Sequence, residues 1–259
     1  MKSTNSKKRD QTKQKRTIHA GMKATPFEFR FRFLIHAIIY FLGFVAPWNY
    51  WLHLDTIRTW QLLASWPARN GWISFGASTI LVLLIGIACA LKGAVLRTWG
   101  SAYLGASIVH DAAMHGEGVL AAGPYRYVRN PLYLGTFAHT FALTLLMPPS
   151  GAIFCIVAIG LMQLRLILAE EPFLTAKLGE PYVAYCAKVP RLIPVLRPRV
   201  PASVIQPDWS TAFLGEIYIW GVVVCFAILG WRYNSILLIK GVLISLGISL
   251  IVRAFIPKR

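Results

Sequence analysis

Gly123-Pro124-Tyr125-Arg126-Tyr127-Val128-Arg129-Asn130-Pro131-Leu132-Tyr133-Leu134-Gly135 is polar, aromatic and twice charged, yet it feeds directly into an apolar run over residues 132–147. Asn130 followed by Pro131 predicts a helix start. An Asn side chain can cap the orphan N–H groups, and the fixed φ of proline suits the first helical position. The positive end of that helix then lies beside Arg126 and Arg129, with Tyr125, Tyr127 and Tyr133 near it. Such a place suits an anionic or π-rich ligand. The plainer alternative is a cationic membrane-surface loop with interfacial aromatics.

The wider composition sets the class. Of the 259 residues, 56% are hydrophobic and 14% charged, with a mean hydropathy of +0.55. A soluble domain carries roughly 25% charged residues, so the chain reads as an all-α integral membrane protein. The net charge of +17 does not point to nucleic acid: ten of the 27 basic residues precede residue 33, and most others flank apolar runs. That placement follows the positive-inside rule and suits anionic lipid headgroups. Cys89, Cys155, Cys186 and Cys225 are scattered without metal or disulfide spacing, and His110 and His115 fit no zinc pattern; no metal site is expected.

Residues 1–28 read as a basic, disordered cytosolic arm. Two membrane helices are expected within 29–92, at about 33–52 and 72–91, joined by a loop over 53–71 that holds Trp60 and Trp66. Residues 93–200 form a core around a helix hairpin, 131–170, that turns at Pro148-Pro149-Ser150-Gly151. An interfacial helix and a proline-punctuated strap follow Glu171. Two more crossings are expected within 208–259, near 212–230 and 235–256. The sum is about six transmembrane helices, no Rossmann domain, both termini cytosolic and a cofactor pocket facing the cytosol, most simply in a bacterial cytoplasmic membrane.

Polar groups at membrane depth cost about 2.5–3.5 kcal/mol each on insertion scales, so each needs an account. Glu170-Glu171 closes the fourth segment, where the helix macrodipole disfavours anions. Glu171 can be read as the cap of a helix restarting at Pro172, which leaves Glu170 unexplained. Arg165 is roughly 140° around the helix from Glu170, at ~100° per residue, so it needs a partner elsewhere. His139 reads as an interhelical hydrogen bond. Gly116-Glu117-Gly118-Val119-Leu120-Ala121 matches G-x-G-x-x-A, but no strand precedes it and Gly123-Pro124 prevents a helix after it.

The 123–135 stretch resembles the G-x-Y-x-x-x-R-H-P-x-Y-x-G signature of isoprenylcysteine carboxyl methyltransferases, to which phospholipid N-methyltransferases are more distantly related. Glu170-Glu171, Leu174, Leu178-Gly179, Tyr182, Tyr185, Val189-Pro190 and Pro194 are similar to that family's second motif. The resemblance covers residues 93–197. It implies a multi-pass enzyme that uses S-adenosylmethionine to methylate a lipid-like or prenylated small acceptor, either at a carboxylate oxygen or at a lipid amine. It implies cofactor contacts at His110, Glu117, Gly118, Val119, Leu120, Tyr125, Asn130, Pro131, Leu132, Tyr133, Glu170 and Glu171, with catalytic roles for Glu170, Arg129 and Arg165. Asn130 stands where the family usually has His, Glu117 where His is common, and Leu166 where an acceptor-binding Arg is expected. The competing readings are a sterol-reductase-like enzyme whose NADPH phosphates meet Arg126 and Arg129, and a transporter or scaffold with Glu170 and Arg165 as a buried pair.

Overall fold

The computed structural model describes residues 22–45, 57–105 and 121–255, and every regular element in them is helical. Three helices are long and apolar enough to cross a membrane: α4 (Phe75–Leu104), α6 (Pro149–Leu178) and α10 (Ser235–Ala254). A fourth crossing results if α8 (Trp209–Gly215) and the segment Ile217–Arg232, which begins with α9 (Ile217–Val224), count as one span bent by 67° at Glu216. Six crossings were expected. Among the described residues, α2 (Arg32–Val45) and α5 (Pro131–Thr144) run for 14 residues each. At 1.5 Å per residue such a helix reaches about 21 Å, short of the ~30 Å hydrocarbon core.

The two 30-residue helices organise the rest. Helix α4 packs along α5, α5 along α6, and α2 along α6, so the expected hairpin is present. Small residues set these approaches. A Cβ on Gly93 of α4 would stand 2.9 Å from the carbonyl oxygen of Gly135 in α5, and one on Gly151 of α6 would collide with the carbonyl of Gly43 in α2. The central apolar cluster includes Leu83, Leu143, Leu146, Val222 and Phe226. Leu81, Leu84, Ile85, Ile153, Val157, Leu161, Ile244 and Ile251 point outward, as lipid-facing side chains do.

Four local features differ from the sequence reading. Residues Thr59–Arg69 form a helix, α3, within the expected loop. Its start is fixed from outside, because Thr59 N and Thr59 Oγ1 both donate to Met147 O at 2.8 Å. The arm is packed at its end: α1 (Pro26–Arg30) carries a capping box between Thr25 and Glu28, and Ala24 N donates to Arg165 O at 2.9 Å. Helix α6 runs through Pro172 without a restart, so Glu171 caps nothing. It ends at Gly179, whose φ of +63° favours glycine, and α7 (Glu180–Lys188) follows as the expected interfacial helix. Lastly, Pro131 opens α5 as expected, but Asn130 makes no side-chain cap; its amide donates instead to Arg191 O at 3.1 Å.

Candidate functional site

Where α1, α2, α4, α5, α6 and the C-terminal helices converge they enclose a cavity of about 230 Å³. That is a little below the ~300–1,000 Å³ common for small-molecule sites. Phe29, Arg32, Phe33, His36 and Tyr40 form one wall, and Leu132, Tyr133, Thr136 and His139 of α5 another. Helix α6 contributes Gln163, Leu166 and Glu170, one turn apart in succession. Arg97 and Leu104 come from α4, and Glu216, Tyr218, Ile219 and Arg253 from the last helices.

The polar groups of this cavity are arranged rather than scattered. Tyr133 Oη donates to Glu170 Oε2 at 3.0 Å, which holds the carboxylate against the cavity wall. Arg97 donates from Nε and Nη2 to the two oxygens of Glu216, each at 2.8 Å, and from Nη1 to Thr136 Oγ1 at 2.8 Å. Glu216 is 1% exposed, so this is a fully desolvated, bidentate ion pair. The Arg32 guanidinium lies 4.5 Å and 4.8 Å from the Phe29 and Phe33 ring centres. His139 Nε2 is 3.4 Å from Tyr218 Oη, the interhelical contact expected for that histidine, while its Nδ1 has no partner.

The structure brings three of the sequence-derived residues to this cavity: Leu132, Tyr133 and Glu170. Tyr125 and Pro131 are buried beside it; Tyr125 Oη donates to Gly100 O at 3.5 Å, and burial pushes that hydroxyl far above its ordinary range. His110, Glu117, Gly118, Val119 and Leu120 lie outside the described residues.

The remaining charged candidates are engaged elsewhere. Arg129 Nη1 meets Glu171 Oε1 at 3.0 Å, and Arg191 Nη2 meets Glu171 Oε2 at 2.6 Å. Hydrogen bonding to Glu171 raises the Arg191 guanidinium above its already high range. This triad clamps the strap after α7 onto the 123–130 turn, a 3₁₀ turn at Gly123–Arg126. Main-chain bonds complete the clamp: Arg129 N to Pro190 O, Val195 N to Tyr127 O, Arg199 N to Arg126 O and Ser203 N to Ala121 O, at 2.9–3.2 Å. Arg126 Nε donates to Val200 O at 2.9 Å. Arg165 meets Glu28 through two bonds of 3.0 and 2.8 Å, and so pairs with the N-terminal segment rather than with Glu170.

Arg32, Arg97, Glu216, Tyr218 and Arg253 were not singled out by the sequence reading. One signal was visible for Glu216: it is the sole acidic residue between Trp209 and Arg259. Its partner lies 119 residues earlier, which no local pattern reveals.

Residues 81–180 match the model of the phospholipid methyltransferase family. The resemblance to a membrane methyltransferase family thus holds over this span, 100 of the 259 residues. It takes in α4 from Leu81, the 123–135 stretch, the hairpin and Glu170-Glu171; α1, α2, the strap and the last helices lie outside it. No curated protein and no solved structure matches the chain.

Proposed function

We propose that this protein is an S-adenosylmethionine-dependent membrane methyltransferase acting on a lipid-like or small hydrophobic acceptor. The observation that carries this reading is Glu170. It is a carboxylate held by Tyr133 on the wall of a cavity between apolar helices, within the family-matched span, and one hydrogen bond across the hairpin takes up only part of its acceptor capacity. The donor set fits the cofactor. A sulfonium is cationic, so an anionic carboxylate and aromatic faces suit it, and Arg32 on the same wall suits the cofactor's carboxylate.

When bound, S-adenosylmethionine supplies an electrophilic methyl group. The chain's part is to align and to keep water out, since in-line displacement needs no covalent nucleophile. Glu170 supplies the negative charge, and the Tyr133 hydroxyl fixes the direction of that charge. Leu132, Leu166 and Phe29 exclude water. The Glu171 clamp holds the turn from which α5 starts, so Arg129, Glu171 and Asn130 are positioning residues. Arg165 acts through Glu28 on the segment that carries Phe29. The cofactor is taken to enter from the cytosolic side, the acceptor laterally between helices, and the arm with Lys7, Lys8, Arg9 and Arg16 to rest on anionic lipid.

Titration of the purified full chain with S-adenosylhomocysteine, and separately with NADPH, tests this. Binding of the former and not the latter is expected, lost in Glu170→Ala and weakened roughly three- to tenfold in Tyr133→Phe, the loss of about one hydrogen bond. A folded wild-type protein that ignores S-adenosylhomocysteine overturns the reading; unchanged affinity in Glu170→Ala overturns the site.

A further inference from the structure

The cavity holds polar atoms that the proposed cofactor contacts of the family-matched span do not use: Gln163, His139 and Arg253 all line it. Among the described residues, the Nε2 of Gln163, which is 5% exposed, has no hydrogen-bond partner, and neither has Nδ1 of His139, which is 2% exposed. Arg253 Nε is buried and likewise unpartnered among them, and Arg253 Nη2 reaches Gly215 O at 3.4 Å. Glu216 accepts hydrogen bonds from Arg97 at both carboxylate oxygens and acts on Arg253 as a nearby charge rather than as a hydrogen-bond partner.

A buried N–H without an acceptor is a destabilising arrangement unless something fills it. Gln163 Nε2 and Arg253 Nε are donors, and a histidine Nδ1 can donate as well. The missing group is therefore rich in acceptors, and an oxyanion is the acceptor that best suits a guanidinium whose Nε–H is left unmatched. Arg253, Glu216 and Tyr218 all lie outside the matched span of residues 81–180. A cofactor shared by a family is held by what the family shares; Arg253, which this chain adds outside that span, is assigned to the acceptor, and His139 and Gln163 complete its surroundings.

We propose that Arg253, Gln163 and His139 form a subsite for an oxyanion, a phosphate or carboxylate, carried by the lipid-like methyl acceptor. Arg97 does not bind it directly; its pair with Glu216 fixes the junction of α8 and α9 and thereby the wall on which Tyr218 sits. The proposal rests on the methyltransferase reading for the word acceptor, and on the cavity alone for the oxyanion.

The test uses the full chain in neutral detergent and follows its thermal transition with dioleoylphosphatidic acid, oleate, dioleoylglycerol, inorganic phosphate or S-adenosylhomocysteine added separately. The two anionic lipids should raise the transition and dioleoylglycerol should not. Arg253→Gln should weaken the lipid effect roughly tenfold to a hundredfold, as for a lost charge-assisted hydrogen bond. Gln163→Leu should weaken it less, while Arg232→Gln, exposed and away from the cavity, leaves it intact. Should Arg253→Gln fail to fold, Gln163→Leu carries the test.

An equal shift with dioleoylglycerol overturns the oxyanion, as do unchanged lipid effects in both cavity variants. A full shift with inorganic phosphate alone overturns the lipid as its source. Loss of the S-adenosylhomocysteine effect in Arg253→Gln would assign the subsite to the cofactor and overturn the acceptor. Anionic-lipid shifts in a protein that ignores S-adenosylhomocysteine would leave the subsite standing while the methyltransferase reading falls.

Discussion

Removing Glu216 should be the most damaging single change at the cavity. The carboxylate is 1% exposed, and both its oxygens accept from Arg97 at 2.8 Å. Glu216→Ala leaves a guanidinium whose side chain is 11% exposed, with Thr136 Oγ1 as its remaining hydrogen-bond partner among the described residues. Breaking a buried pair from one side costs about 3–5 kcal/mol, because the surviving charge stays desolvated. For a chain of this size about 1 kcal/mol moves the thermal midpoint by roughly 2–4 °C, so a fall of roughly 6–20 °C is expected. The physical cause is the stranded charge, not a missing attraction. Hence Arg97→Met combined with Glu216→Leu should recover most of the loss, since apolar replacement of a whole buried pair is often neutral. Thermal unfolding of the two single variants and the double variant, in one detergent, closes the cycle. A double variant as unstable as the two single losses added together would refute the argument.

Three further outcomes follow from the packing and the charges. Gly151→Ala should cost at least about 1–3 kcal/mol, the usual range for overpacking, because its methyl meets backbone of α2 rather than a side chain that can turn away; Gly76→Ala, with open space around it, is the matched control in the same unfolding assay. Arg165 holds the Glu28 carboxyl at about 2, down from 4.5. A depressed carboxyl stabilises the docked segment above the unfolded value, and that contribution is lost as pH falls from about 4.5 toward about 2. Protease cutting near Ala24 should therefore stay slow at pH 5–7, rise below 4.5, and be fast throughout in Glu28→Gln. Arg191→Ala should loosen the strap, seen as faster amide exchange at Val195 and Arg199, while S-adenosylhomocysteine affinity falls less than in Glu170→Ala.

Much of the scaffold was readable from one sequence because it is written in local signals. Uninterrupted apolar runs gave α4 and α6, Pro131 gave the start of α5, and the spacing of Leu174, Tyr182 and Tyr185 accompanied the interfacial helix. Helix α3 was not readable. It contains Pro67 and has a polar start, and its first turn is held by Met147 from another helix. Glu170 stood out because a carboxylate at that depth needs a reason. Glu171 stood out equally, yet proved to be a clamp with Arg129 and Arg191. The two differ only in where a one-residue step, about 100° around the helix, points each side chain. The cavity walls from α2 and the last helices were hidden for a different reason: they are joined to the core by pairs such as Arg97–Glu216 and Tyr40–Thr140, 119 and 100 residues apart.

The strap over residues 190–203 meets the 121–129 turn largely through main-chain atoms, running against it in direction, with Pro190 O accepting the first bond and prolines at 194, 198 and 201 between the later bonding positions. Contacts of that kind read the path of a chain and are blind to its side chains. Beyond Pro194, over evolutionary time, such a segment is free to drift in composition, provided its length is kept. A single inserted or deleted residue would throw every later bond out of step, whereas many substitutions would pass unnoticed. Among homologues residues 195–203 should accordingly show poor identity and almost no gaps, whereas Pro190, Arg191 and Pro194 should be kept.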